Sequence, residues 1–482
     1  MNKLLVLCCL CLSTFAQAQE YNLESIITLA TSQSPRALQA KTALNARYWA
    51  YRNYQSNYLP QLALSSVAGN YFRSIDNITQ PDGSFSFRPR EVANSSVFLS
   101  LSQAVAPTGG TLSLSSGLNR IDNFTVNSTQ FTAIPASIGF DQPLLAFNNL
   151  RWERRIQPLL YEEAKRRYNE EMEQVVLRAI NLYYNVLESQ INQSIADVNV
   201  ANNDTLFKIA QGRYNLGKIA ENELLQMELA YMRAKASQNQ SEAEMQRATL
   251  ELRLHLGYSD NQPMKLAVPE GVFPESISEV EAIEQAQKNR SLVIGLDRRL
   301  IEAKRGVAQA KGETGLRGNL QANLGLNQTS ESLNSAFNNP LAQQQIQFSL
   351  TTHIIDWGRT KSRRRTAEAN LDLEKSIINQ ETQSFAQQIS LAVNNFNLSK
   401  SQLEIGRKGN DIAAKRYEIT KQRYLIGKIG ITDLNIAQQE RDAAKRDFIA
   451  SLRNYYLSYY NLRSLTLYNF VAKAPISYEA GL

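Results

Sequence analysis

Two histidines, three cysteines and scattered carboxylates are all that this 482-residue chain offers for catalysis or metal binding. His353 falls in a segment that reads as a strand, on its polar side, and His255 lies between Leu254 and Leu256 at a helix end, where it reads as a surface or interface residue rather than a base. Cys8, Cys9 and Cys11 cluster near the start. There is no Gly-x-Ser-x-Gly elbow, no phosphate-binding glycine loop and no His/Asp/Glu cluster at metal-ligand spacing, and Gly109-Gly110 reads as a turn, so no nucleophile has its base. The expectation is a protein that is not an enzyme, with no cofactor and no metal. The acids that stand out are Glu223 and Asp433, because each follows the same motif.

Arg213-Tyr214-Asn215-Leu216-Gly217-Lys218-Ile219 returns 210 residues later as Arg423-Tyr424-Leu425-Ile426-Gly427-Lys428-Ile429, with five of seven residues identical. At the same offset, the residues from Phe140 to Leu145 face those from Leu350 to Ile355 in an apolar frame only. So long a period marks a duplicated half-domain rather than a solenoid. The division expected is a first half at 19–262 and a second at 263–482. Gly217 and Gly427 suit the left-handed closure of a helix. Asn222 and Thr432 are N-cap candidates for the next helix, and Glu223 and Asp433 suit its positive end. Turning a helix needs neither tyrosine nor lysine, so Arg213, Tyr214, Lys218, Arg423, Tyr424 and Lys428 ask for a further role.

The elements that carry these turns are unusually long. Residues 151–215 contain one proline, Pro158, and residues 359–425 contain none. As helices at ~1.5 Å per residue each would reach roughly 100 Å, beyond what a globular core buries. Shorter helices are expected at 23–58 and 221–256. Val175, Ala179, Leu182 and Val186 step by 4, 3 and 4, as do Val176, Ile180, Tyr183 and Leu187 one position over. Two adjacent seams let a helix contact a neighbour on each flank, as staves do. Phe385, Ile389, Ala392 and Phe396 repeat one seam well; Ala386, Ser390, Val393 and Asn397 repeat the other poorly.

Strands are expected at 61–72, 97–105, 111–119, 133–141, 319–327 and 345–354. Leu320, Ala322, Leu324 and Leu326 alternate with Asn319, Gln321, Asn323 and Asn327; Ile346, Phe348, Leu350 and Ile354 alternate with Gln347, Ser349, Thr351 and His353. A soluble sandwich shares this period, but an Asn/Gln/Ser/Thr face on segments of ~9 to 11 residues fits a water-filled membrane barrel better. No run after the first 18 residues approaches the ~20 apolar residues of a spanning helix. Aligning Pro60 with Arg317 requires a larger offset than aligning the strand at 133, which leaves an extra hairpin at about 73–131. Residues 1–18 read as a signal peptide, with Lys3, an apolar run and Ala16-Gln17-Ala18. The net charge of +7 is spread thinly, which argues against nucleic acid as a partner.

With these residues in view, the chain resembles the TolC-like outer membrane efflux family along its mature length. The carriers are both Arg-Tyr-x-x-Gly turns, Thr432-Asp433-Leu434, the strand-to-helix junctions Gln142-Pro143-Leu144 and Ile355-Asp356-Trp357-Gly358-Arg359, and Leu59-Pro60-Gln61-Leu62. The resemblance implies an α+β membrane protein: a homotrimer with one shared β-barrel in outer-membrane lipid, continuous with a long periplasmic α-helical barrel, each protomer an internal tandem duplication. It implies that the turns with Arg213, Tyr214, Gly217, Lys218, Arg423, Tyr424, Gly427 and Lys428 are periplasmic tips where an adaptor protein docks. Glu223 and Asp433 become candidates for the closed aperture; where many relatives carry a second acid, this chain has Ile436. The family norm is four strands per protomer, twelve in the trimer, so the extra hairpin departs from it. The function implied is an exit duct that passively conducts small molecules, coupled to an inner-membrane transporter. Type I protein secretion is an alternative, and a periplasmic coiled-coil scaffold or adhesin is one from another class.

Overall fold

The computed structural model describes residues 20–259, 262–269, 273–274 and 276–481. The expected signal peptide and its three cysteines lie outside them. Compactness divides the chain into one unit of residues 1–44, 165–291 and 382–482, and another of residues 45–164 and 292–381. Both draw on both expected sequence halves.

The second unit is built on one antiparallel sheet of six strands in chain order: β1 (Gln61–Thr79), β2 (Phe85–Val105), β3 (Gly110–Asn123), β4 (Ser128–Leu144), β5 (Arg317–Ser330) and β6 (Leu341–Thr351). The extra hairpin, β2 and β3, lies inside the sheet between β1 and β4 rather than outside it. β1 and β2 run past the expected limits and pair as far as Thr79 with Phe85. Their far ends are held by ion pairs of Arg73 with Glu91 at 2.9 Å and Arg90 with Asp76 at 3.5 Å, whose charges blur the alternation that marks a strand. β6 instead stops at Thr351, opposite Arg317, the first residue of β5. His353 therefore has no ladder partner and lies in the exposed segment beyond the strand, not on it as expected.

The turn between β2 and β3 is fastened to the start of the long helix α3 (Asn149–Asn215). The Asn148 side chain accepts from the Arg151 amide at 3.1 Å, capping the helix, and donates to the carbonyls of Ala106 at 2.9 Å and Pro107 at 3.2 Å. Gln142 adds a bond to the Thr108 carbonyl at 3.1 Å. In the same unit α6 (Ser291–Thr314) is tied by Arg298 to Glu163 at 2.7 Å, and by Arg299 to Glu374 at 2.7 Å and Glu381 at 2.9 Å on α7 (Arg359–Leu425).

The first unit is helical: α1 (Leu23–Gln33), the start of α2 (Pro35–Ser56), α4 (Glu221–Leu256), α5 (Glu279–Asn289), α8 (Ile431–Thr466) and the later parts of α3 and α7. The helix expected at 23–58 is broken at Ser34, whose backbone is extended because Pro35 disfavours a helical residue before it. Both α3 seams, Val175 through Val186 and Val176 through Leu187, are buried; on α7 the strong seam is buried and the weak one keeps only Val393. Burial opposes the charge of Arg463, yet Glu173, itself fully buried, accepts bidentate bonds of 2.7 and 2.9 Å and more than offsets it. Tyr478 also donates to Glu173 at 2.5 Å.

Candidate conduction surface and helix turns

The ladder turns the alternation of each strand into rows that cross the sheet. One row runs Gln61, Ser102, Ser113, Gly139, Asn323, Gln345; the next runs Leu62, Leu101, Leu114, Ile138, Leu324, Gln344. Neighbouring rows fall on opposite faces. One face is thus small and hydrogen-bonding, crossed by Ser137 to Asn323 at 2.5 Å and Gln321 to Asp141 at 2.9 Å, and the other is hydrocarbon with Leu99, Leu112 and Phe348 exposed on it. A hydrocarbon face exposed on this scale suits lipid, and the polar face can line water.

Both helix turns close alike. The Gly217 amide donates to the Tyr214 carbonyl at 2.8 Å and Lys218 to Arg213 at 2.9 Å; Gly427 donates to Tyr424 and Lys428 to Arg423, each at 2.9 Å. This paired bonding satisfies the last carbonyls of the helix and needs a left-handed residue, supplied by Gly217 at φ +67° and Gly427 at +76°. The N-caps are Ala220 and Gly430, without side-chain bonds, rather than Asn222 and Thr432, which sit in the first turns of α4 and α8. So compact a closure leaves three residues before the next helix, which starts earlier than the polar side chains suggest. Glu223 and Asp433 occupy those first turns, both exposed.

The two turns share a core of Leu206, Ala210, Met227, Tyr417, Tyr424, Ile431, Leu434 and Ala437, against which Ile219 and Ile429 pack. Arg213 crosses from the first turn to the second: its guanidinium lies 5.7 Å from the Tyr424 ring centre, and it donates to the Leu425 carbonyl at 3.4 Å. Burial raises the Tyr424 pKa, Arg213 lowers it and Glu223 raises it, which puts Glu223 within electrostatic reach of the ring. Tyr214, Lys218, Arg423 and Lys428 are exposed.

Sequence reasoning missed a polar cluster on three helices. Arg441 stacks on Tyr417 at 4.1 Å and bonds Asp442 at 2.5 Å and Asn199 at 2.9 Å, while Asn199 donates to Asp442 at 2.7 Å. Its only trace in the sequence is the seven-residue spacing of Tyr417 and Tyr424 on one face of α7.

A family profile described as Outer membrane efflux protein matches residues 26–258 and 283–466. The chain belongs to the outer membrane efflux protein family. It is a non-enzymatic duct of the outer membrane that extends into the periplasm, of the kind that works with adaptors and inner-membrane pumps in tripartite efflux systems. The match favours efflux over protein secretion and over a scaffold or adhesin. No curated relative matches the sequence. Among solved structures, the chain resembles a membrane protein from Pseudomonas aeruginosa at 14% identity and a TM-score of 0.67, with 92% of this chain and 90% of that one covered. It also resembles the Campylobacter jejuni CmeC outer membrane channel, at 15% identity and TM-score 0.67 over 95% and 87% of the two chains. VceC from Vibrio cholerae is similar at 13% identity and TM-score 0.64, over 92% and 96%. At these identities the likeness concerns fold alone.

Proposed function

We propose that three copies assemble into one conduit for small molecules, with the polar face of the sheet lining a water-filled barrel and the apolar face meeting lipid. The crossing rows carry this reading, because a soluble sheet gains nothing from a broad exposed face that is mostly hydrocarbon. Passive conduction needs a polar lumen, a sealed wall and a gate, and no bond-making residue.

The turns serve as the periplasmic tips. Arg213, Tyr214, Gly217, Lys218, Arg423, Tyr424, Gly427 and Lys428 form the surface on which an adaptor docks. Exposure of Leu216 and Ile426, the residues before each glycine, supports this, since neither packs into the shared core. Glu223 and Asp433 act at the aperture, where three copies of each crowd like charges around an opening. Single-channel conductance in planar bilayers tests this. A Glu223→Ala, Asp433→Ala double variant is expected to change conductance and lose cation preference; unchanged values for both would remove these acids from the gate.

A further inference from the structure

We propose that copies of this chain join through an antiparallel seam between β6 of one and β1 of the next, closing an eighteen-stranded barrel in which the β2–β3 hairpin widens the wall. The count of three copies rests on the conduit reading above; the seam and the six strands per copy rest on the sheet itself.

The sheet ends in two edges that natural proteins rarely leave bare. Every residue of β6 is exposed, as are the first thirteen of β1. Edge strands are ordinarily guarded by charge, proline or a covering element. β6 has no charged residue and no proline, and β1 has one positive and one negative residue, Arg73 and Asp76, both beyond its midpoint. Leu62 is 68% exposed, Leu64 71%, Phe348 57% and Leu350 58%. The strands alternate in direction and number six, so β6 of one copy runs opposite to β1 of another and the ladder can continue unbroken.

The register supports closure. Following paired residues from Gln61 across all six strands arrives at Gln345, six residues before Thr351 at the end of β6. An untwisted ribbon of strands in simple register would show no such stagger, whereas a barrel requires it. Pairing Thr351 with Gln61 of the next copy sets Leu350 beside Leu62 and Phe348 beside Leu64, all four on the hydrocarbon face. At ~3.3 Å rise and ~4.8 Å between strands, six residues of stagger per six strands tilts them by roughly 35°, at the edge of the ~35–45° found in closed barrels. The stagger enters where the extra hairpin joins its neighbours, at β1–β2 and β3–β4, and at β4–β5, whereas β2–β3 and β5–β6 are level, pairing Val105 with Gly110 and Thr351 with Arg317.

An extra hairpin can enter a wall only as a pair of strands, because a single one would reverse every direction after it. Eighteen strands at ~35° close at a backbone diameter of roughly 34 Å, against roughly 22 Å for twelve. The outer-membrane segment is then about half again as wide as a twelve-stranded one. Size selection among solutes would fall to the helical part of the duct.

Cysteine pairing tests the seam, since the only native cysteines are Cys8, Cys9 and Cys11 in the leader. Mild oxidation of outer membranes carrying a Leu64→Cys, Phe348→Cys double variant is expected to give covalent dimers and trimers that either single variant lacks. Electron cryomicroscopy of the unaltered protein in lipid nanodiscs is expected to show three-fold particles with eighteen strands. A three-fold particle with a twelve-stranded wall and β2–β3 outside it overturns the proposal while leaving the conduit reading intact. A particle without three-fold symmetry overturns both, and absence of the cross-link in a three-fold particle overturns the β6–β1 register.

Discussion

The first and second helix turns share a motif and a backbone, yet they are anchored differently. Tyr424 is buried in the common core, while Tyr214, 210 positions earlier, is exposed. Buried Ile431 and Leu434 open α8, where the equivalent places on α4 hold exposed Glu221 and half-buried Leu224. The motif therefore specifies how a helix ends, and the residues around it specify how firmly the end is held. The second turn is seated by its own side chains. The first leans on the second through Arg213.

The largest expected difference is at the tyrosines. Tyr424→Ala should cost about 3–5 kcal/mol, as large core truncations do, whereas Tyr214→Ala should stay within about 1 kcal/mol. Thermal denaturation of the purified protein in detergent reads this; equal losses would erase the contrast. The glycines should abolish it. Gly217→Ala and Gly427→Ala each force a side chain into left-handed backbone with open space around it, so each should cost about 1–2 kcal/mol, and a clear inequality would mean that one turn is strained beyond its dihedral. Arg213→Gln should lose about 0.5–1 kcal/mol with its place over the Tyr424 ring, and Arg423→Gln should lose almost nothing.

The smallest effect depends on pH. Burial lowers the His255 pKa, the Val175 carbonyl raises it, and Arg178 and Arg36 lower it further. The folded state thus holds fewer protons than the unfolded one. Stability is full above the ordinary histidine range and declines as pH falls through about 6.5 towards the lowered folded value. The place equivalent to His255 on α8 is Leu465, so this histidine has no counterpart on the helix leaving the second turn. His255→Leu should flatten the acid limb of melting temperature against pH, and an unchanged limb would assign the titration elsewhere.

Much of the architecture was legible because strong local signals coincide with element ends. Gly217 and Gly427 mark the limits of two helices, and the bounds at 221–256 and 359–425 match α4 and α7. Signals failed where two rules competed. Pro35 broke a helix whose apolar period ran straight through it, and ion pairs hid the far end of the β1–β2 hairpin. Asn222 and Thr432 have the right chemistry for caps, but the turn geometry reached Ala220 and Gly430 first. The motif residues were visible as a repeat. Asn199, Tyr417, Arg441 and Asp442 were not, because four ordinary residues on three helices acquire meaning only when folding brings them together.

Asn148 has two duties: it caps α3 and it holds the carbonyls of Ala106 and Pro107. Excising the hairpin by engineering would therefore strip an amide of its acceptors at the spot where the longest helix of the first half begins. A viable shortened version must redesign that junction too, so a lineage gaining or shedding these two strands would be expected to change the helix-initiating residue in the same step.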